Sequence, residues 1–274
     1  MTRSKIHFVV GDTQAKPGVP TKHLTWIGRY LVDQFAGRDV EVIHLGDHAD
    51  MPSLSSYDKG TAKIEGKRVV KDIEAANTGF DLLNEPLHEY NTKPRNGRGK
   101  VWEPRRTILL GNPEDRITRA ANASAELEGL LTLDALNYAK WGWDILPYQK
   151  PRILDGISYC HFFYNPNTGR PYAGENLETR LKTIGHSFTM GHQQGMKYAV
   201  RAVGSGRHHG LVLGTSYLHD EGYLGPQGNA YWRGIVVCHQ VERGQYDPMF
   251  VSLDYLCRRY EGKTLSAFLN RRKT

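Results

Sequence analysis

Val40-Glu-Val-Ile-His-Leu-Gly-Asp-His-Ala-Asp50 is an apolar run that stops abruptly at Gly46-Asp47. Val40, Val42, Ile43 and Leu45 read as a buried strand, and the glycine lets the backbone turn so that the Asp47 carboxylate leaves the strand's carboxyl end. In open α/β sheets that rim is where ligands bind. The same grammar occurs at Ile6-His-Phe-Val-Val-Gly-Asp12 and at Thr107-Ile-Leu-Leu-Gly-Asn112. Each run ends in glycine followed by a short side chain that carries a ligand oxygen.

Working outward, Leu24, Ile27, Leu31 and Phe35 recur at helical spacing between the first two runs, with Thr21 as the expected N-cap and Gly37 as the stop. The opening is therefore a βαβ unit with parallel strands. Val69, Ile73, Ala76, Phe80, Leu83 and Leu87 predict a second helix packed on the sheet. A helical region is expected from Ile117 to Tyr138, with Trp141, Trp143 and Pro147 marking a turn. Arg152 to Leu154 and Ile157 to His161 flank Asp155-Gly156 as a tight hairpin, and Asn176 to Ile184 reads as a short helix. Ser187 to Met190 is a further strand, ending in Gly191-His192-Gln193-Gln194. Beyond it, strands are expected at Met196 to Val203, Leu211 to Ser216, Tyr231 to Val241 and Pro248 to Tyr255. This order predicts an α/β protein with one domain over residues 1–260 and a basic tail over 261–274, frayed from Asn270 onward.

Composition sets the partners. The 274 residues carry a net charge of +7, which favours phosphate-bearing partners over basic ones. No apolar stretch is long enough to span a membrane and no signal-peptide layout opens the chain, so a soluble, cytoplasmic protein without a membrane partner is expected. Cys160, Cys238 and Cys257 show no CxxC spacing and read as reduced and structural. Asn91 to Arg106 holds Lys93, Arg95, Arg98, Lys100, Arg105 and Arg106 around Trp102. It reads either as a loop that tracks a phosphate backbone and stacks a base, or as a solvated surface loop.

The strand-end residues, in order, are Asp12, Asp47, Asn112, His161 and His192. Such a mixture of carboxylate, carboxamide and imidazole suits Mn²⁺, Fe²⁺ or Zn²⁺ better than a purely hard cation, and two aspartates leave a pair of dications net positive for a phosphate ester.

Here the chain resembles the calcineurin-like metallophosphoesterase superfamily, and is similar to its phage-encoded members. The family's DxH, GDxxD, GNHE, strand-end histidine and GHxH read here as Asp12-Thr-Gln14, Gly46-Asp47-His-Ala-Asp50, Gly111-Asn112-Pro113-Glu114, His161 and Gly191-His192-Gln-Gln194. The resemblance implies a four-layer α/β/β/α sandwich with two mixed sheets. It also implies one or two divalent ions, Mn²⁺ first and Mg²⁺, Fe²⁺ or Zn²⁺ as alternatives. In the implied ligand set Asp47 bridges, Asn112, His161 and His192 complete one position, and Asp12, Gln14 and Gln194 the other. The activity implied is phosphoester hydrolysis by a metal-activated hydroxide, on DNA, RNA or a nucleotide. The setting is the cytoplasm, or a host's cytoplasm for a phage-encoded protein.

Three departures mark the motifs. Gln14 and Gln194 replace histidines of one metal position, which leaves one well-made and one weakened site. Pro113 replaces the histidine that would steady charge and protonate the leaving oxygen. His186, His208 and His209 are the substitutes that the sequence offers. Arg116 is expected to reach bound phosphate or to pair with Glu114 or Asp115, and Asp50 to orient neighbouring groups. His44 is assigned to sheet packing and His48 to no role. The rival expectation is a non-catalytic module that binds nucleic acid or protein on a degenerate scaffold.

Overall fold

The three glycine-terminated runs lie side by side in the computed structural model, which describes residues 4–56, 60–93, 101–172, 174, 176–204, 206–222 and 224–270. In chain order they are β1 (Ile6–Val10), followed by α1 (Lys22–Phe35), β2 (Val40–His44), followed by α2 (Val69–Thr92), and β3 (Arg105–Leu109), followed by α3 (Asn112–Ala123). β4 (Asp144–Leu146) precedes the hairpin β5 (Arg152–Leu154) and β6 (Ile157–Cys160). A small ribbon, β7 (Tyr164–Asn165) with β8 (Arg170–Pro171), leads to α4 (Leu177–Ile184) and β9 (Ser187–Met190). β10 (Lys197–Val203), β11 (Gly206–Val212), the one-turn α5 (Gly225–Gly228), β12 (Gly234–Glu242) and β13 (Gln245–Ser252) follow, and α6 (Leu253–Glu261) and α7 (Leu265–Asn270) end the described chain.

Two mixed sheets result. One has the order β13-β12-β1-β2-β3-β4, with β1 to β4 parallel and β12 antiparallel to both β1 and β13. The other has the order β10-β11-β9-β6-β5, parallel through β11, β9 and β6.

Side-chain alternation builds the layers. Val9, Ile43, Leu109 and Val236 point inward and meet Ile157, Tyr159 and Leu211 of the other sheet. Phe8, Val10, Val42 and Ile108 point outward against Leu24 and Ile27 of α1 and Phe80 and Leu83 of α2. Beyond the second sheet, Phe188, Met190 and Val212 pack on Leu177 and Leu181 of α4. The architecture is a four-layer α/β/β/α sandwich. Strands buried on both faces explain why the opening runs are continuously apolar instead of alternating.

Several boundaries differ from the sequence expectation. α3 starts at Asn112 itself, not at Ile117, because Pro113 suits the first helical turn and the Glu114 carboxylate accepts the Gly111 N–H at 3.0 Å. The region after Ala123 is a series of 3₁₀ turns, and β4 lies where only a turn was expected. β11 begins at Gly206, before the expected Leu211, and β12 at Gly234, after the expected Tyr231. β13 stops at Ser252, whose hydroxyl accepts the Tyr255 N–H and caps α6, so residues 253–255 are helical. The expected tail from 261 carries α7, and the Phe268 ring meets Trp26 edge-on with centroids 5.1 Å apart; residues 271–274 lie outside the described residues.

All three cysteines are free and buried. Among the described residues no helix is long and apolar enough to cross a membrane.

Candidate metal centre

β1, β2, β3, β6 and β9 end at one rim, and the chain is stitched there residue by residue. The Thr13 and Gln14 N–H groups donate to the Asp47 carbonyl at 3.2 and 2.9 Å, and the Gly191 N–H donates to the His161 carbonyl at 3.0 Å. His192 N–H donates to both Asp12 carboxylate oxygens, at 3.2 and 3.1 Å. Ligand atoms of Asp47, His161 and His192 all lie within 4.8 Å of one another. Asp12, Asp47 and His161 are buried, and His192 is the least buried of the triad.

The chemistry of these atoms calls for a cation. His161 Nδ1 donates to the Leu45 carbonyl at 2.8 Å, which leaves Nε2 as a lone-pair donor. That Nε2 lies 3.2 Å from Asp47 Oδ1, and both atoms, with Asn112 Oδ1, are buried without a hydrogen-bond partner. Two lone pairs at that separation require a proton or a metal between them. Accordingly, against the opposing pull of burial, the Asp47 charge lifts His161 to about 10. Burial, and next the Asp47 charge, raise the Asp12 carboxyl well above the ordinary range. Burial, and then His161, lower His192 and keep it in the neutral, metal-ligating form. The residues present fit a divalent cation.

Strain and close approach are concentrated here. Asp47 (φ 49°) and His192 (φ 65°) adopt left-handed backbone, as does Gln14 (φ 41°), an arrangement held only because the surroundings over-determine it. Gly111 is required for a different reason: a Cβ at that position would overlap the Asp47 carboxylate.

Two residues have a supporting role that the sequence reading did not give them. Glu114, which closes the GNHE-like motif and was otherwise offered only as a surface ion-pair partner of Arg116, is fully buried. Its carboxylate accepts the N–H groups of Asp47 (3.2 Å), His48 (2.7 Å), Ala49 (3.0 Å) and Gly111 (3.0 Å), and the Tyr138 hydroxyl at 3.2 Å. Burial, and next Asp47, raise this carboxyl, while the N–H donors oppose them. Its signal was the acidic residue in the first turn of a helix beginning at Asn112. Tyr148 Oη accepts the Asn112 amide at 2.8 Å and so turns the carboxamide oxygen away from itself. Tyr148→Phe is expected to weaken Mn²⁺ binding about tenfold, as loss of an outer-shell partner does, with an unchanged circular dichroism spectrum; titration calorimetry measures it.

The remaining predicted residues take other places. Asp50 pairs with Lys16 at 2.7 Å, and Arg116 donates to the Asp50 and Met51 carbonyls at 2.8 and 3.3 Å, bracing the loop after β2 instead of pairing with Glu114 or Asp115. Gln194 Oε1 accepts the Tyr217 hydroxyl at 2.6 Å and the Thr215 hydroxyl at 3.1 Å. His44 and His48 are buried on Thr13, at 3.1 and 2.7 Å, and His48 also meets the Ala76 carbonyl at 2.9 Å. His209 lies level with Ser187, since β11 and β9 run parallel with Gly210 opposite Phe188. That is five strand residues before His192, roughly 15 Å away, so neither it nor its neighbours His208 and His186 reach the rim. Trp102 is not a stacking platform: it is buried and its indole donates to the Arg38 carbonyl at 3.0 Å. Residues 94–100 of the basic loop lie outside the described residues.

Lys16 also reaches Glu221 at 2.7 Å, and Glu221 meets His219 at 2.8 Å. Against the upward pull of burial, the bonds from His219 and Lys16 bring the Glu221 carboxyl from 4.5 down to about 2. A carboxyl depressed on folding contributes stability that is present above its unfolded value and lost as pH falls through its folded one. Glu221→Gln is therefore expected to cost about 2 kcal/mol at pH 7, roughly 4–8 °C in Tm, with the difference shrinking between about pH 4.5 and 2. Melts of both proteins across that window test it.

No protein-family model matches the chain, and no curated protein sequence does. Among solved structures, it is similar to wild-type Vps29 complexed with Zn²⁺ from Entamoeba histolytica, with 10% sequence identity, coverage of 90% of this chain and 99% of that one, and a TM-score of 0.37.

Proposed function

We propose that this chain is a metal-dependent phosphoesterase of the calcineurin-like type, acting on a phosphodiester in a nucleotide or nucleic acid. The observation that carries the reading is the convergence of Asp47 Oδ1, Asn112 Oδ1 and His161 Nε2 beside His192: Asn112 Oδ1 is buried without a donor, and the Asp47–His161 pair, 3.2 Å apart, is satisfied only by a shared proton or by a cation that takes its place. Asp47, Asn112, His161 and His192 would hold the ion. When bound, a divalent cation such as Mn²⁺ supplies Lewis acidity toward a phosphoryl oxygen.

The chain's own residues do the positioning. Glu114 gathers the backbone on both sides of Asp47, the Leu45 carbonyl sets the His161 tautomer, and Tyr148 orients Asn112. Pro113 has no proton to give, and His186, His208 and His209 belong to the other end of the second sheet. Substrates whose leaving groups depart without protonation are therefore favoured. The net charge of +7 supports a polyanionic substrate over a phosphoprotein.

Hydrolysis of bis-p-nitrophenyl phosphate with Mn²⁺, compared with an Asp47→Asn control, tests the reading. Clear turnover by the wild type alone is expected; equal background from both proteins would favour the non-catalytic binding module. Salt-dependent binding to DNA or RNA then separates a nuclease from a small-nucleotide phosphodiesterase.

A further inference from the structure

We infer that the centre takes a single divalent cation, and that the second position, around Asp12, Gln14 and Gln194, is closed by the hydrogen bonds that hold Gln194. The inference rests on the metal-centre reading above and goes on to its stoichiometry.

The polar atoms divide into two groups. On one side, Asn112 Oδ1 is left without a partner, and Asp47 Oδ1 and His161 Nε2 face only each other, at 3.2 Å. On the other, Asp12 is partly engaged and Gln194 is committed. The two Asp12 oxygens share the single His192 N–H, and Gly191 packs so closely that a Cβ there would overlap Asp12 Oδ1. The Gln194 side-chain oxygen takes the Tyr217 hydroxyl at 2.6 Å, and the one Thr215 proton is shared between the Gln194 backbone carbonyl at 2.6 Å and that side-chain oxygen at 3.1 Å. A carboxamide whose oxygen is engaged offers only N–H donors, which no cation accepts.

The clamp on Gln194 is itself anchored. Tyr217 is fully buried, its hydroxyl lies 2.6 Å from that of Tyr231, and its ring stacks on His219 with centroids 4.5 Å apart. The Arg233 guanidinium sits over both tyrosines, 5.7 Å from the Tyr217 centroid and 5.1 Å from that of Tyr231. Its ion pair with Asp220, at 2.6 Å, and its bond to the Leu218 carbonyl, at 2.7 Å, fix the guanidinium there and so hold the clamp on Gln194 in place. One dication balances the Asp12 and Asp47 carboxylates; a second would find the Gln194 oxygen already taken by the protein.

The test is to titrate the full chain with Mn²⁺, counting equivalents by calorimetry and recording low-temperature electron paramagnetic resonance spectra. One equivalent per chain with an uncoupled six-line spectrum is expected for the wild type. A Gln14→His, Gln194→His double variant is expected to take up a second equivalent with spin coupling. Two equivalents and a coupled spectrum in the wild type would overturn the inference, and that count stands whether or not the double variant folds. A folded double variant that stays at one equivalent would overturn the assignment of the closure to the glutamines. A wild type that binds no Mn²⁺ would instead overturn the metal-centre reading itself.

Discussion

Asp47→Asn is expected to lower Mn²⁺-dependent turnover of bis-p-nitrophenyl phosphate by roughly a thousandfold or more while leaving the protein folded. Loss of an outer-shell partner costs about 10–100-fold, and Asp47 is the charged member of the triad that faces His161 Nε2 at 3.2 Å. Asparagine keeps the shape and a carbonyl oxygen but removes the charge that holds a dication against two neutral imidazoles. The metal-free variant is expected to melt near the wild-type temperature, because losing the Asp47 charge relieves the Asp12 and Glu114 carboxyls that it pushes up but also removes the partner that lifts His161. Steady-state kinetics and a calorimetric melt check both halves. Turnover at the wild-type rate would remove Asp47 from the chemistry.

Glu114→Ala is expected to be the most destabilising single change at the rim. It strands the N–H groups of Asp47, His48, Ala49 and Gly111 and the Tyr138 hydroxyl in a fully buried place. Each unsatisfied group costs about 1–3 kcal/mol. With partial relaxation the total is about 4–6 kcal/mol, a Tm loss on the order of 10–20 °C. Glu114→Gln is expected to fall between, since one amide edge presents N–H groups to N–H donors. Mn²⁺ affinity should fall with stability, because the left-handed Asp47 depends on that bracing. A Tm within about 2 °C of wild type for the alanine variant would show that the loops hold themselves.

Trp102 illustrates how a local reading goes astray. Among lysines and arginines it reads as an exposed ring, yet the Arg38 carbonyl and the Asn91 side chain take its polar groups while the ring enters the core. Part of the expected basic tail is structured in the same way: residues 265–270 form a helix whose Phe268 finds Trp26, a partner more than two hundred positions away.

The strands, the glycines that end them and the ligand-type side chains that follow were legible in the sequence alone. Each is a property of a short window: an apolar run buried on both faces, a residue tolerant of an abrupt turn, and the side chain next in line. Asp47, His161 and His192 were therefore recognisable before any fold was known. What only the tertiary structure decided is which atoms at the rim remain unpartnered. Asn112 depends on Tyr148, Asp47 on Glu114 and Gln194 on Tyr217, residues carried there by other elements. Hydrogen-bond satisfaction in a buried place depends on every chain that passes through it, and no single stretch of sequence holds that information.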